Sequence, residues 1–289
     1  MLFLAIINKN THGYNGIFLG PYMQTSHSAR AFRALHNQTQ PLLLPNAWDA
    51  GSARLIESLG AAAIATTSAG VAWSLGYRDG NALPVEEYVA RAASIARVIS
   101  VPLSVDIEGG YADDPGKVAE TVSRFIDVGA VGINIEDGSG SPQRLCRKVE
   151  AVRTVGERYG VPLYINVRTD VYARGLAAEG LRVAEVLARA QGYRAAGADG
   201  LFVLGLVNAK EMSVIARHSG LLLNVIVWPD LPPLDALAAF GVRRVSVGSW
   251  LPQTLWTHTE QLVRGFLREN VHARMMADAT PYAAVNATF

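Results

Sequence analysis

The chain has 289 residues, half of them apolar, with a formal net charge of +1. That length accommodates a large core, as one α/β barrel or as two domains, and the near-neutral charge argues against a nucleic-acid or acidic-membrane partner. No apolar run is long enough to span a bilayer, and the single cysteine, Cys146, excludes an internal disulfide framework and suits a reducing cytoplasm.

The start, Met1-Leu-Phe-Leu-Ala-Ile-Ile, is apolar but has no basic residue before it, so it makes a poor signal peptide. Asn8–Tyr22 is rich in Gly, Asn and Thr without periodicity, so 1–22 is expected to be a flexible extension and 23–270 the folded domain. From Pro41 onward one unit recurs: a short apolar strand, a polar loop, an amphipathic helix and a glycine. Strands are expected at Pro41–Pro45, Ala61–Thr67, Pro102–Glu108, Val131–Asp137, Pro162–Thr169, Gly200–Gly205, Leu221–Val227 and Val242–Gly248. Gly60, Gly129, Gly160, Gly197, Gly220 and Gly241 stand just before six of them, where helix C-caps belong. Val85–Ile99, Val118–Val128 and Leu181–Ala195 carry apolar residues near a 3.6-residue period. Leu251–Asn270 reads as a long closing helix. The tail 271–289 has no clear pattern and is expected to pack on a neighbouring subunit. Continuously apolar strands alternating with helices predict a parallel sheet covered on both faces, and eight units predict a closed (β/α)₈ TIM-type barrel.

A barrel of this kind carries its chemistry at the C-terminal ends of its strands. Polar residues gather there: Thr67 and Ser68, Asp106 and Glu108, Glu136 and Asp137, Arg168 and Asp170, with Asn224 in the seventh strand. Asp106 and Glu108, two apart on one strand, leave from the same face. Such a pair either marks a solvated strand end with a loop salt bridge or binds a divalent cation, and oxygen ligands favour Mg²⁺ or Mn²⁺. None of His12, His27, His36, His218, His258 or His272 falls at a strand end, so no histidine stands out as a base. Asp49, before Ala53–Leu59, reads chiefly as a helix N-cap. Cys146 spaces with Val149 and Val152 and reads chiefly as a small core residue.

The ordered motifs Asn46-Ala-Trp-Asp49, Thr67-Ser-Ala-Gly70 with Gly76-Tyr-Arg-Asp79, Asp106-Ile-Glu-Gly-Gly-Tyr111, Ile135-Glu-Asp137 and Asn166-Val-Arg-Thr-Asp170 lead the chain to resemble the isocitrate lyase/phosphoenolpyruvate mutase superfamily. Leu201–Leu206, Leu223–Val225 and Gly241–Gly248 extend the resemblance to about Trp256. It implies an α/β barrel that binds Mg²⁺ and a small 2-oxo or 2-hydroxy acid, in a homo-oligomer (dimer or tetramer) that exchanges the last barrel helix between subunits. It assigns Asp106, Glu108 and Glu136 to the metal site, in part through waters. Thr67, Ser68, Ala69, Arg168 and Asn224 would bind substrate. Arg168, Glu136, Asp79 and Tyr111 would be catalytic, with Tyr111 either a proton donor or an anchor. The family more often has Asp where Glu108 stands. The Lys-x-Cys-Gly-His element of its lyases is missing, because the loop reads Gly138-Ser-Gly-Ser-Pro-Gln-Arg144. The longer lid of its mutases and phosphonopyruvate hydrolases is missing too, as is the mutase histidine near Leu204. The expectation is a Mg²⁺-dependent carbon–carbon lyase or decarboxylase. The alternatives are a phosphonopyruvate-type C–P hydrolase or mutase and a non-catalytic 2-oxo acid binding protein.

Overall fold

The computed structural model describes residues 21–269 and 273–289. Of the extension expected at 1–22 only the last two residues are described, and they open α1 (Pro21–Leu35); the rest, with His12, lies outside the described residues, as do Asn270 and His272. The strands are β1 (Leu42–Leu44), β2 (Asn46–Ala47), β3 (Ile64–Thr66), β4 (Leu103–Asp106), β5 (Ala130–Glu136), β6 (Tyr164–Thr169), β7 (Gly200–Val203), β8 (Leu222–Ile226) and β9 (Val242–Ser246). All pair in parallel, in the order β1-β9-β8-β7-β6-β5-β4-β3-β2.

The two outer members of that order, β1 and β2, are halves of one strand. Pro45 separates them and brings no N–H to a ladder. The first half pairs with β9 and the second with β3, so the sheet closes into a ring of eight barrel strands. Asn46 carries the closure: its Oδ1 accepts from Val247 N at 2.9 Å and Gly248 N at 2.7 Å, and its Nδ2 donates to Thr66 O at 2.8 Å. One side chain thus bonds to both neighbours where the backbone ladder changes partner.

The covering helices are α2 (Ala50–Ser58), α3 (Ser68–Ser74), α4 (Val85–Ala96), α5 (Pro115–Asp127), α6 (Pro142–Arg158), α7 (Arg182–Ala195) and α8 (Ala209–His218). Their starts follow capping chemistry. Asp49 and Ser52 form a capping box on α2, Asp114 accepts from Lys117 N ahead of Pro115 at N1, and Asn208 accepts from two amides of α8. The six glycines before strands all take positive φ, between +65° and +100°. The unit between β8 and β9 holds only a 3₁₀ segment, Leu234–Phe240.

The sequence pattern does not announce α1, which covers the N-terminal mouth of the barrel. Phe32 is fully buried there, its ring edge-on to Tyr164, and a Cβ at Gly132 would lie 2.6 Å from it. Glycine at 132 is what lets the ring approach the strand. Beside it, Asp199 pairs with Arg33 of α1 and Arg153 of α6. At the other end of the chain, α9 (Trp250–Glu269) runs close to the expected closing helix, with Leu255, Trp256, Val263, Phe266 and Leu267 exposed. The tail forms two short helices, α10 (Ala273–Ala277) and α11 (Tyr282–Asn286), and Thr288 O accepts from Arg54 Nε of the same chain at 2.7 Å. No helix among the described residues is long and apolar enough to cross a membrane.

Candidate active site

Register brings the expected acids together. Asp106 on β4 lies beside Asn134 on β5, and Glu136 lies beside Arg168 on β6. Glu136 N donates to Glu108 O, which continues the ladder past the end of β4. The acids and Arg168 therefore share one rim, at the C-terminal ends of β4, β5 and β6. Above them opens a cavity of about 490 Å³ whose lining includes Asn81, Glu108, Tyr111, Glu136 and the loop Gly138–Ser141.

Arg168 is the centre of charge. Its Nη1 lies 2.7 Å from Glu136 Oε2, and Asp170 takes it bidentately, from Nε at 2.7 Å and Nη2 at 3.0 Å. Burial lifts Glu136 to about 8; Arg168 opposes the shift, while Asp106, Asp170 and Glu108 add to it. Asp106 and Glu108 are also raised, first by burial and then by the surrounding acids, Asp79 among them. Burial would raise Asp170 as well, but Arg168 and Arg174 hold it below its usual value. Asp79 itself is exposed, on the loop before α4, and reaches the acids through its charge.

Glu108 is held by a strained loop. Asn81 N donates to its Oε2 and Tyr111 Oη donates to its Oε1 at 3.0 Å. Asn81, Glu108 and Tyr111 all sit in the left-handed region, with φ between +51° and +59°, and among the described residues Asp230 is the one other non-glycine residue there. Backbone strain gathered around one carboxylate is typical of a site whose geometry is over-determined by its surroundings. Burial and the neighbouring acids raise the Tyr111 phenol, so it keeps its proton.

The acids do not close into a ready cage: among the described residues no three His, Cys, Asp or Glu side chains are placed to hold a metal. Glu108 turns to Asn81 and Tyr111, and Glu136 to Arg168. The donor chemistry still fits a hard divalent cation that keeps much of its water. Asp106, Glu108 and Glu136 offer carboxylate oxygens, and all three are raised because buried negative charge there is only partly offset.

Other expected residues fall elsewhere. Thr67 N donates to Ala47 O at 3.1 Å, so its amide belongs to the ladder, while Ser68 and Ala69 form the first turn of α3. Asn224 is wholly buried inside the barrel, bonded to Asn166, to the carbonyls of Val225 and Arg244 and to Ser246 Oγ. Asp137 is buried and satisfied by Thr169, Asp170 N, Arg189 and Tyr193, facing away from the acids. Asp49 serves as the N-cap of α2. Cys146 is half-buried on α6, its thiol raised by burial, and a Cβ at Gly192 would lie 3.1 Å from its Sγ.

The sequence reading missed three cations that also line the cavity: Arg144, Lys148 and Arg174. Lys148 is buried, its amine lowered by burial, and Nζ donates to Gly109 O at 2.7 Å. The signal was present in its position on the apolar stripe Leu145, Val149, Val152 of α6, where a solvated lysine has no place.

A closed parallel barrel with acids and an arginine on its C-terminal rim has the architecture of barrel enzymes that work at that rim. A family model described as phosphoenolpyruvate phosphomutase matches residues 32–267, and the chain belongs to this family. An uncharacterised protein of Mycobacterium tuberculosis is 35% identical over 223 residues, 76% of this chain and 82% of the relative. The 2-methylisocitrate lyase of Salmonella typhimurium is 34% identical over 220 residues, 73% and 70% of the two chains. Oxaloacetate decarboxylases of Pseudomonas species are further relatives. The fold matches that of a phosphonopyruvate hydrolase solved with oxalate and Mg²⁺, with a TM-score of 0.78 over 90% of this chain and 94% of the other, at 19% identity.

Proposed function

We propose that the protein is a Mg²⁺-dependent enzyme that cleaves a carbon–carbon bond in a small 2-oxo or 2-hydroxy acid, as a lyase or decarboxylase. The observation that carries this reading is the cluster of raised acids, Asp106, Glu108 and Glu136, beside Arg168, with Glu108 and Glu136 lining one cavity. The lyase and decarboxylase names of the relatives support it. A metal held by these acids supplies a Lewis acid for the 2-oxo group. With Nε and Nη2 held by Asp170, Arg168 offers its remaining Nη hydrogens to the substrate carboxylate, and offsets negative charge as the bond breaks. The bonding pair stays on the substrate as an enolate, which then takes a proton. Tyr111 Oη carries a proton at the cavity wall, and the amides of Ser68 and Ala69, in the first turn of α3, are proposed to meet an acid group. Arg144, Lys148 and Arg174 line the same cavity and add positive charge for a second anionic group, although Arg144 and Arg174 also pair with Asp113 and Asp170. The exposed apolar residues of α9 support a homo-oligomer, a dimer or tetramer, that exchanges this helix between subunits.

The direct test incubates the protein with oxaloacetate, 2-methylisocitrate and isocitrate, with and without Mg²⁺. Metal-dependent release of pyruvate or glyoxylate is expected, and no release from any of them counts against a lyase. The cations lining the cavity also favour a second reading, a phosphonopyruvate-type C–P hydrolase or mutase. Phosphate release from phosphonopyruvate distinguishes it. Calorimetric binding of oxo acids without turnover of any of them would identify a binding protein.

A further inference from the structure

Inside the barrel lies a guanidinium that the proposed chemistry does not use. Arg244, on β9, is 1% exposed and belongs to no ion pair among the described residues. Its Nη2 donates to Asn134 Oδ1 at 3.1 Å, while Nε and Nη1 have no partner. Burial lowers its pKa to about 10, which leaves it charged at neutral pH. A buried cation with two idle donors is a poor way to stabilise a core, and an apolar side chain of similar size would serve better.

Its contact explains its presence. Register sets Asp106, Asn134 and Asn166 side by side on β4, β5 and β6. Asn134 Oδ1 accepts from both Arg244 Nη2 and Asn166 Nδ2, the latter at 2.9 Å. Two donors on that oxygen forbid the flipped amide, which would set nitrogen against nitrogen. The Asn134 Nδ2 is therefore left to donate to Asp106 Oδ2, at 3.3 Å. Asp106 Oδ1 accepts from Glu108 N at 3.1 Å, so both carboxylate oxygens are held. Without Arg244, one donor, Asn166 Nδ2, is left on the Asn134 oxygen, and the amide that holds Asp106 loses half of its restraint.

We infer that Arg244 is a positioning residue: through the amide of Asn134 it fixes the carboxylate of Asp106 at the rim. The inference rests on the reading of Asp106 as a metal-site acid. Field and positioning predict opposite signs, which makes the test decisive. Deleting a cation near the acids should tighten divalent-metal binding by Coulomb's law alone; losing the orientation of Asp106 should weaken it.

The experiment measures Mn²⁺ binding by calorimetry to the full chain, its folding checked by circular dichroism, and to Arg244→Met, Asn134→Ala and the double variant. Each single variant is expected to weaken Mn²⁺ about tenfold, as loss of a partner behind a metal ligand does. The double variant should be no worse than the worse single, because both act on one path. Unchanged or tighter binding in Arg244→Met overturns the inference, and additive effects overturn the route through Asn134. Should Arg244→Met fail to fold, Arg244→Lys, which keeps the charge but loses the fork, is held to the same criteria. If the wild type binds no Mn²⁺, the metal reading fails by itself. A crystal structure of the variant then decides: Asp106 displaced supports the inference, and Asp106 unmoved overturns it.

Discussion

Glu136 is pulled two ways. Burial lifts its carboxyl to about 8 although Arg168 lies 2.7 Å away. In the folded protein it holds a proton that the unfolded chain has already released, so it contributes stability that is lost as pH rises toward 8. His36 is the buried group working against this below its unfolded value: burial keeps it neutral, lowered from 6.5 to about 3, and its penalty is gone above pH 6.5. Between pH 6.5 and 8 the melting temperature of metal-free protein should therefore fall, and the fall should be smaller in Glu136→Gln. Equal slopes in a calorimetric scan of the two would refute this. Arg168→Lys keeps the charge but not the fork that spans Glu136 and Asp170; turnover should drop about a hundredfold while circular dichroism stays unchanged. The acids and Arg168 were legible in the sequence because charge at the end of an apolar strand has no structural purpose. Asn224 carried the same signal and sits among buried amides instead. A polar residue within a strand looks alike whether it faces the rim or the interior.

Closure of the barrel depends on one element, the strand broken at Pro45. The sequence marks the strand up to Pro45 and, separately, the motif that begins at Asn46, but not that both belong to one strand with two partners. That fact lives in the pairing, which is non-local. Asn46→Ala removes three hydrogen bonds at the seam and leaves two part-buried amides without their acceptor, so it should destabilise the fold by about 3 kcal/mol. A urea titration reads this as a lower midpoint, and a midpoint within error of the wild type would show that the backbone closes the ring unaided. α1 was not legible as a helix for a related reason. Its apolar content is modest, and what fixes it is the pocket that Gly132 and Tyr164 leave for Phe32.

The molecule as a whole presents α9 with a bare apolar face. Trp256 and Leu267 are about two-thirds exposed or more, at 68% and 72%, more than a chain that works alone commonly leaves to water. If that face meets a second copy, Trp256→Glu with Phe266→Glu should convert the oligomer to monomer in sedimentation velocity without loss of helix content. A wild-type chain that sediments as a monomer would remove the proposal. The repeat of strand, helix and glycine made the barrel readable, since each unit obeys local rules and the ring follows from their number. Whether subunits exchange α9 is not a local property, and apolar spacing along one helix reads the same in either case.

The left-handed backbone around Glu108 has a consequence for how this protein would evolve. Asn81, Glu108 and Tyr111 each forgo about 1 kcal/mol or more that a glycine would recover at such φ values. A population selected for heat tolerance alone would drift toward glycine at Glu108, whose carboxyl is buried among other acids, while Tyr111 is kept by its packing on Tyr88, and one selected for turnover would resist the change. The loop records which pressure prevailed.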